Sequence, residues 1–131
     1  MKYVFSFLII MLMAVSCQGE TVQFTWTAPG DDGNIGTCAA YDLRYSEDSI
    51  TQSNWNFCGL VPESMSMTPH EAGTPETLTV DIDLSSETTY YFAIKARDNE
   101  SNWNGISNQV SIYIPDNIPP AIIVDFNAIK Q

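Results

Sequence analysis

Three cysteines, one histidine and 16 carboxylates are the residues through which this 131-residue chain could do chemistry. Nucleophilic catalysis needs a Ser or Cys with a base beside it. Acid–base work needs paired groups in a cleft, or a metal. The lone imidazole, His70, stands in a loop between Pro69 and Glu71. No Ser or Cys sits in a motif that activates it, no Gly-rich stretch would cradle a phosphate, and no His/Cys spacing fits a metal. The sequence therefore predicts no enzyme.

The best constellation is acidic. Asp31, Asp32 and Asn34 fall in one expected loop; Asp98, Asn99, Glu100 and Asn102 fall in another. Hard oxygen ligands from two loops that meet would suit Ca²⁺, the one cofactor the sequence offers. The competing reading is local, because Asp and Asn favour turns for backbone reasons, and the string is no EF-hand. Asn99-Glu100-Ser101 is also a glycosylation sequon. Trp55 and Trp103 are candidates for stacking on a sugar ring, against plain roles in capping an edge and pinning a loop.

Charge narrows the partners. The formal net charge is −11. Residues 1–16 hold Lys2 and no acid, so the remainder carries four bases and sixteen acids, a net of −12. Such a surface repels nucleic acid and anionic headgroups, and no basic patch offsets it.

The elements that must position these groups read as strands. Residues 41–45, Tyr-Asp-Leu-Arg-Tyr, alternate apolar with polar, as do residues 77–83 and 89–97. That is the period of a half-buried strand. Further strands are expected at 22–26, 56–61 and 109–114, with a helical turn within 49–54 and an irregular stretch over 62–75. Short strands with turn residues between them mark an all-β sandwich. The expected core is Trp26, Tyr41, Leu43, Leu84, Tyr90 and Phe92, with Ile94 and Ala96 facing inward beside them.

Leu84, Thr88 and Tyr90 have the spacing of a tyrosine corner, in which a phenol bonds back to nearby backbone. With Trp26 on Val22-Gln23-Phe24-Thr25-Trp26, the chain resembles a fibronectin type III domain over roughly residues 20–115. The resemblance implies an immunoglobulin-like sandwich of two sheets, with the acidic B–C and F–G loops at one pole. It also implies a role in spacing or binding. Two departures stand out. Ser86 and Glu87 replace the Pro and Gly usual in the corner, and strand A is short or missing. An uncovered edge invites pairing with another chain.

The ends complete the expected organisation. Lys2, the apolar run 4–15 and small residues before Cys17 form a signal-peptide pattern over 1–16. The run is shorter than the ~20 residues of a spanning helix. Ala14-Val15-Ser16-Cys17 resembles the lipobox of bacterial lipoproteins, with Ala14 where Leu is preferred; this implies lipidation of Cys17. Ordinary cleavage to a secreted product is the alternative. Residues 17–19 would be a tether, placing the acidic pole near the membrane. An exported chain favours pairing of the remaining thiols, Cys38 and Cys58, across a hairpin turning near Asp48. Such a bond is worth on the order of 3 kcal/mol. Residues 116–131 read as a Pro-rich linker and the first strand of a following module. The function expected is a non-catalytic spacer or interaction module on a bacterial-type surface, meeting a protein or polysaccharide and touching membrane through its anchor alone. The alternative is an accessory domain of a secreted polysaccharide-degrading enzyme.

Overall fold

A computed structural model describes residues 17–131. The expected signal peptide, residues 1–16, lies outside the described residues. Strand β1 (Cys17–Thr27) is followed by β2 (Ala40–Ser46), a 3₁₀ turn (Trp55–Phe57), β3 (Gly59–Val61) and the short helix α1 (Pro62–Ser66). Then come β4 (Pro75–Ser85), β5 (Thr88–Arg97) and β6 (Val110–Ile114). β1 pairs antiparallel with β4 in one sheet, and the other runs β3-β2-β5-β6, antiparallel throughout. This is the all-β, immunoglobulin-like sandwich of fibronectin type III type, with no strand A among the described residues.

Alternation builds the core. Val22 and Phe24 of β1 and Val80, Ile82 and Leu84 of β4 face Leu43, Tyr90, Phe92 and Ile114 of the other sheet. Phe24 and Phe92 meet across the layers at 4.9 Å between ring centroids. Trp26 is half-buried and stands edge-on to the fully buried Tyr41, 5.0 Å away. The other face of β1–β4 is polar, where Thr21 Oγ1 donates to Asp81 Oδ1 at 2.6 Å.

The tyrosine corner forms as the spacing implies. The Ser85 N–H donates to Tyr90 Oη at 3.2 Å, and Glu87 takes the left-handed backbone, φ 57°, that Gly usually occupies there. That conformation costs a non-glycine residue roughly 1–2 kcal/mol, and the Glu87 N–H bonds Ile114 O at 2.6 Å to hold it.

Several expectations need correction. Residues 17–19 are no tether: they open β1, with Cys17 opposite Ser85. Cys17 thus sits at the β4–β5 corner, while the acidic loops follow Thr27 and Arg97 at the far end. Eleven strand residues put roughly 33 Å between the two ends. The helical turn falls at Trp55–Phe57 rather than within 49–54, and Pro62, ready for a first helical position, starts α1 in a stretch expected to be irregular. Residues 115–131 form no strand.

Helix α1 completes the short β2–β3 ladder. Beyond Val61 there is no strand left to accept the Leu43 N–H, and Ser64 Oγ takes it at 3.0 Å while donating to Val61 O at 2.7 Å. Ser64 is fully buried. We expect Ser64→Ala to cost about 1–3 kcal/mol by urea denaturation, because a buried N–H loses its acceptor. The exposed Ser66→Ala should stay within about 0.5 kcal/mol of the parent. Equal effects from the two would refute this role.

Candidate functional site

The residues able to do chemistry divide among four places. At the pole beyond Thr27 and Arg97, loops 28–39 and 98–109 meet as expected: the Asn99 N–H donates to Asp31 Oδ1 at 3.0 Å. The carboxylates there are turned to the backbone. Asp98 Oδ1 accepts from the N–H groups of Glu100 and Asn102, and Oδ2 accepts from Asn102 Nδ2, at 2.7–2.9 Å. The Asn102 amide and N–H hold the Asp98 carboxyl below its ordinary range. Asp31, Asp32, Asp98 and Glu100 do not converge. Among the described residues, no three His, Cys, Asp or Glu side chains gather as metal ligands would.

Glu76 forms the second place. It shares the inward parity of Leu78, Val80, Ile82 and Leu84, so β4 drives a carboxylate into the sandwich, where it is 1% exposed. Tyr41 Oη donates to Oε1 at 3.1 Å and the His70 N–H donates to the same atom at 2.7 Å. His70 Nδ1 lies 2.8 Å from Oε2. Burial alone would raise this carboxyl; the His70 N–H, the His70 ring and the Tyr41 hydroxyl outweigh it and hold the group below its ordinary value of 4.5. The arrangement ties loop 67–74 to both sheets. Its groups are saturated with each other, as a strut requires. Burial pushes the Tyr41 phenol up, and the neighbouring Cys38 thiol as well, which leaves Cys38 a poor nucleophile.

Third is the outer face of the four-stranded sheet. Loop 47–58 folds across it, pinned where Gln109 Oε1 accepts from the Ile50 N–H at 2.7 Å. Trp55 is buried there, with Lys95 Nζ 4.3 Å and the Arg44 guanidinium 5.4 Å from its ring. Arg44 is held by Asp42 through two parallel bonds of 2.9 and 3.1 Å. Trp55 is therefore no sugar platform. Trp103, 42% exposed, lies beneath Arg97 in the 98–109 loop.

The disulfide is corrected. Cys38 and Cys58 are both free. In the antiparallel β2–β3 pair Tyr45 lies opposite Gly59, so Cys58 sits beside the end of β2, near the turn. Cys38 precedes the start of β2. Eight strand residues separate those ends by roughly 26 Å, and a disulfide needs Cα atoms within about 7 Å.

The fourth place was foreseen only as an absence. With no strand A among the described residues, a groove of about 370 Å³ opens between β1 and β6, lined by Phe24, Trp26, Phe92, Ile94, Val110 and Ile112. The sequence signal for Glu76 was parity: extending the 78, 80, 82 face back by two residues reaches it.

Two outcomes follow. Of Cys38 and Cys58, only Cys58 should react in the native protein, slowly, with Cys38 reacting on unfolding and no Cys38–Cys58 linked peptide in a non-reduced digest. A peptide linking Cys38 to Cys58 in the non-reduced digest would overturn the free-thiol arrangement. Glu76, with its folded pKa depressed, adds stability that is fully present above the ordinary carboxylate value and is lost as pH falls through the folded one. Glu76→Gln should therefore weaken the protein near neutrality and flatten its loss of stability below about pH 4.5. An unchanged acid slope in urea titrations would exclude Glu76 as a source.

No protein-family model matches the chain, and no solved structure matches it. Among curated proteins it is 32% identical over 107 residues to calcium-activated chloride channel regulator 1 of Homo sapiens, covering 78% of this chain and 12% of that protein. The Mus musculus protein of the same name is 31% identical over 114 residues, covering 82% of this chain and 12% of its own length. Calcium-activated chloride channel regulator 2 of Homo sapiens is 32% identical over 138 residues, covering 93% and 14%. The chain thus spans 12–14% of the length of these relatives: what it is similar to is one segment of calcium-activated chloride channel regulators.

Proposed function

We propose that this chain is a non-catalytic, exported module of fibronectin type III type, which spaces neighbouring domains or docks a protein or polysaccharide at the cell surface. The observation that carries this reading is the extent of the match. Most of this chain aligns with a small share of much longer regulators, as expected of one module in a larger assembly. The chemistry supports it: among the described residues Glu76, Tyr41 and His70 meet, and they bond to one another around a buried carboxylate. A net charge of −12 after removal of residues 1–16 argues against nucleic acid as partner.

Export rests on the signal-peptide pattern over 1–16. Anchoring rests on Ala14-Val15-Ser16-Cys17 alone, since the relatives above are animal proteins and the pattern is that of bacterial lipoproteins. With Cys17 opposite Ser85, an anchor there would hold the β4–β5 corner toward the membrane and the acidic loops away from it.

Fractionation of cells expressing the full chain tests both parts. The parent should appear in the envelope, cleaved before Cys17 and open to added protease. Cys17→Ser should release it from membranes or block its processing. Retention inside the cell with the leader intact would refute export; a processed Cys17→Ser variant that stays membrane-bound would refute the anchor.

A further inference from the structure

Among the described residues the sandwich lacks a strand at one edge, and residues 121–128 form a strand-like segment that pairs with none of them. Among the described residues β1 bonds to β4 alone, so its other edge presents unpaired backbone groups beside the open groove. An exposed edge next to an apolar groove is a template for an added strand. Residues 121–128 read Ala-Ile-Ile-Val-Asp-Phe-Asn-Ala. In an extended chain Ile122, Val124 and Phe126 share one face, with Ile123, Asp125 and Asn127 on the other. Those three apolar side chains are 88%, 92% and 89% exposed.

We propose that the β1 edge takes residues 121–128 of a second copy of this chain as its missing strand, with Ile122, Val124 and Phe126 entering the groove against Phe24, Trp26 and Ile112. Three observations select this occupant. Within one chain the segment stays out in solvent and leaves its own groove open. β6 ends, and β1 begins, at the end of the sandwich that carries the β4–β5 turn, where Ile114 lies opposite Thr88 and Cys17 opposite Ser85. A chain's own tail would therefore have to double back and run parallel to β1. A second copy's tail makes the same turn, so the difference lies in direction: the parallel ladder is the weaker one. A second copy lying inverted alongside delivers its tail antiparallel to β1, and the exchange is reciprocal about a two-fold axis. Charge agrees: the molecule is strongly acidic, yet 121–128 carries only Asp125 and β1 only Glu20, so copies meet through weakly charged segments.

The inference concerns association alone. It holds wherever the protein resides, and its failure would leave the proposed function standing. The test is light scattering on the full chain against a Val124→Asp/Phe126→Asp variant. Those side chains make no contact within one chain, so the variant should fold as the parent does, checked by thermal unfolding. The parent should show the mass of two copies at micromolar concentration, and the variant the mass of one. A monomeric parent overturns the proposal, as does a variant that still associates. A monomeric parent whose β1 amides resist hydrogen exchange would mean that its own tail fills the edge, which also overturns it.

Discussion

Two strands alone are marginal in water, so β1 and β4 persist only through the face they press on the larger sheet. Val22, Phe24, Val80, Ile82 and Leu84 supply that face, and Leu43, Tyr90, Phe92 and Ile114 receive it. Everything else is arranged around this contact. The tyrosine corner fixes where β4 gives way to β5, and Ser64 closes the ladder where β3 runs out. Glu76 enters the same inner face at its far end, where it can be accommodated only because Tyr41 reaches it from the opposing sheet and His70 from the loop.

The inner face was legible in the sequence because a period of two is a strong signal wherever one side is buried. Tyr41, Leu43, Leu84, Tyr90 and Phe92 all lie in the core, and Trp26 lies half-buried at its margin. The first residues of β1 were not legible, because Gln18-Gly19-Glu20 has no apolar alternation. They are strand because β4 extends to Ser85 to meet them. The pairing of Cys38 with Cys58 failed on direction. A hairpin brings the end of one strand to the start of the next, and Cys38 stands at the wrong end for that. The acidic loops met as expected, and there Asp31 and Asp98 accept from backbone N–H groups.

The outer face of the four-stranded sheet shows the limit of binary patterning. Asp42 and Lys95 alternate with core residues and so read as exposed, yet both are buried. Loop 47–58 brings Trp55 over them, packed with Ile50 and Ala93, and its ring also takes Lys95 on its face. The polar pattern was right and the solvent was not there. Only the path of a loop decides that, and a loop without periodicity does not announce its path.

The β1–β4 pairing also has a temporal side. β1 leaves the ribosome first of the described strands, and its only partner among the described residues begins at Pro75. At ~5–20 residues per second, the roughly fifty intervening residues take about 3–10 s to synthesise. During that interval a flat, largely uncharged edge with Val22, Phe24 and Trp26 has no sheet to join. A chain threaded across a membrane in the same order would meet the same delay on the far side. The first strand of this sandwich is thus the one most in need of a holding factor, and the speed at which β4 follows it sets how long that need lasts.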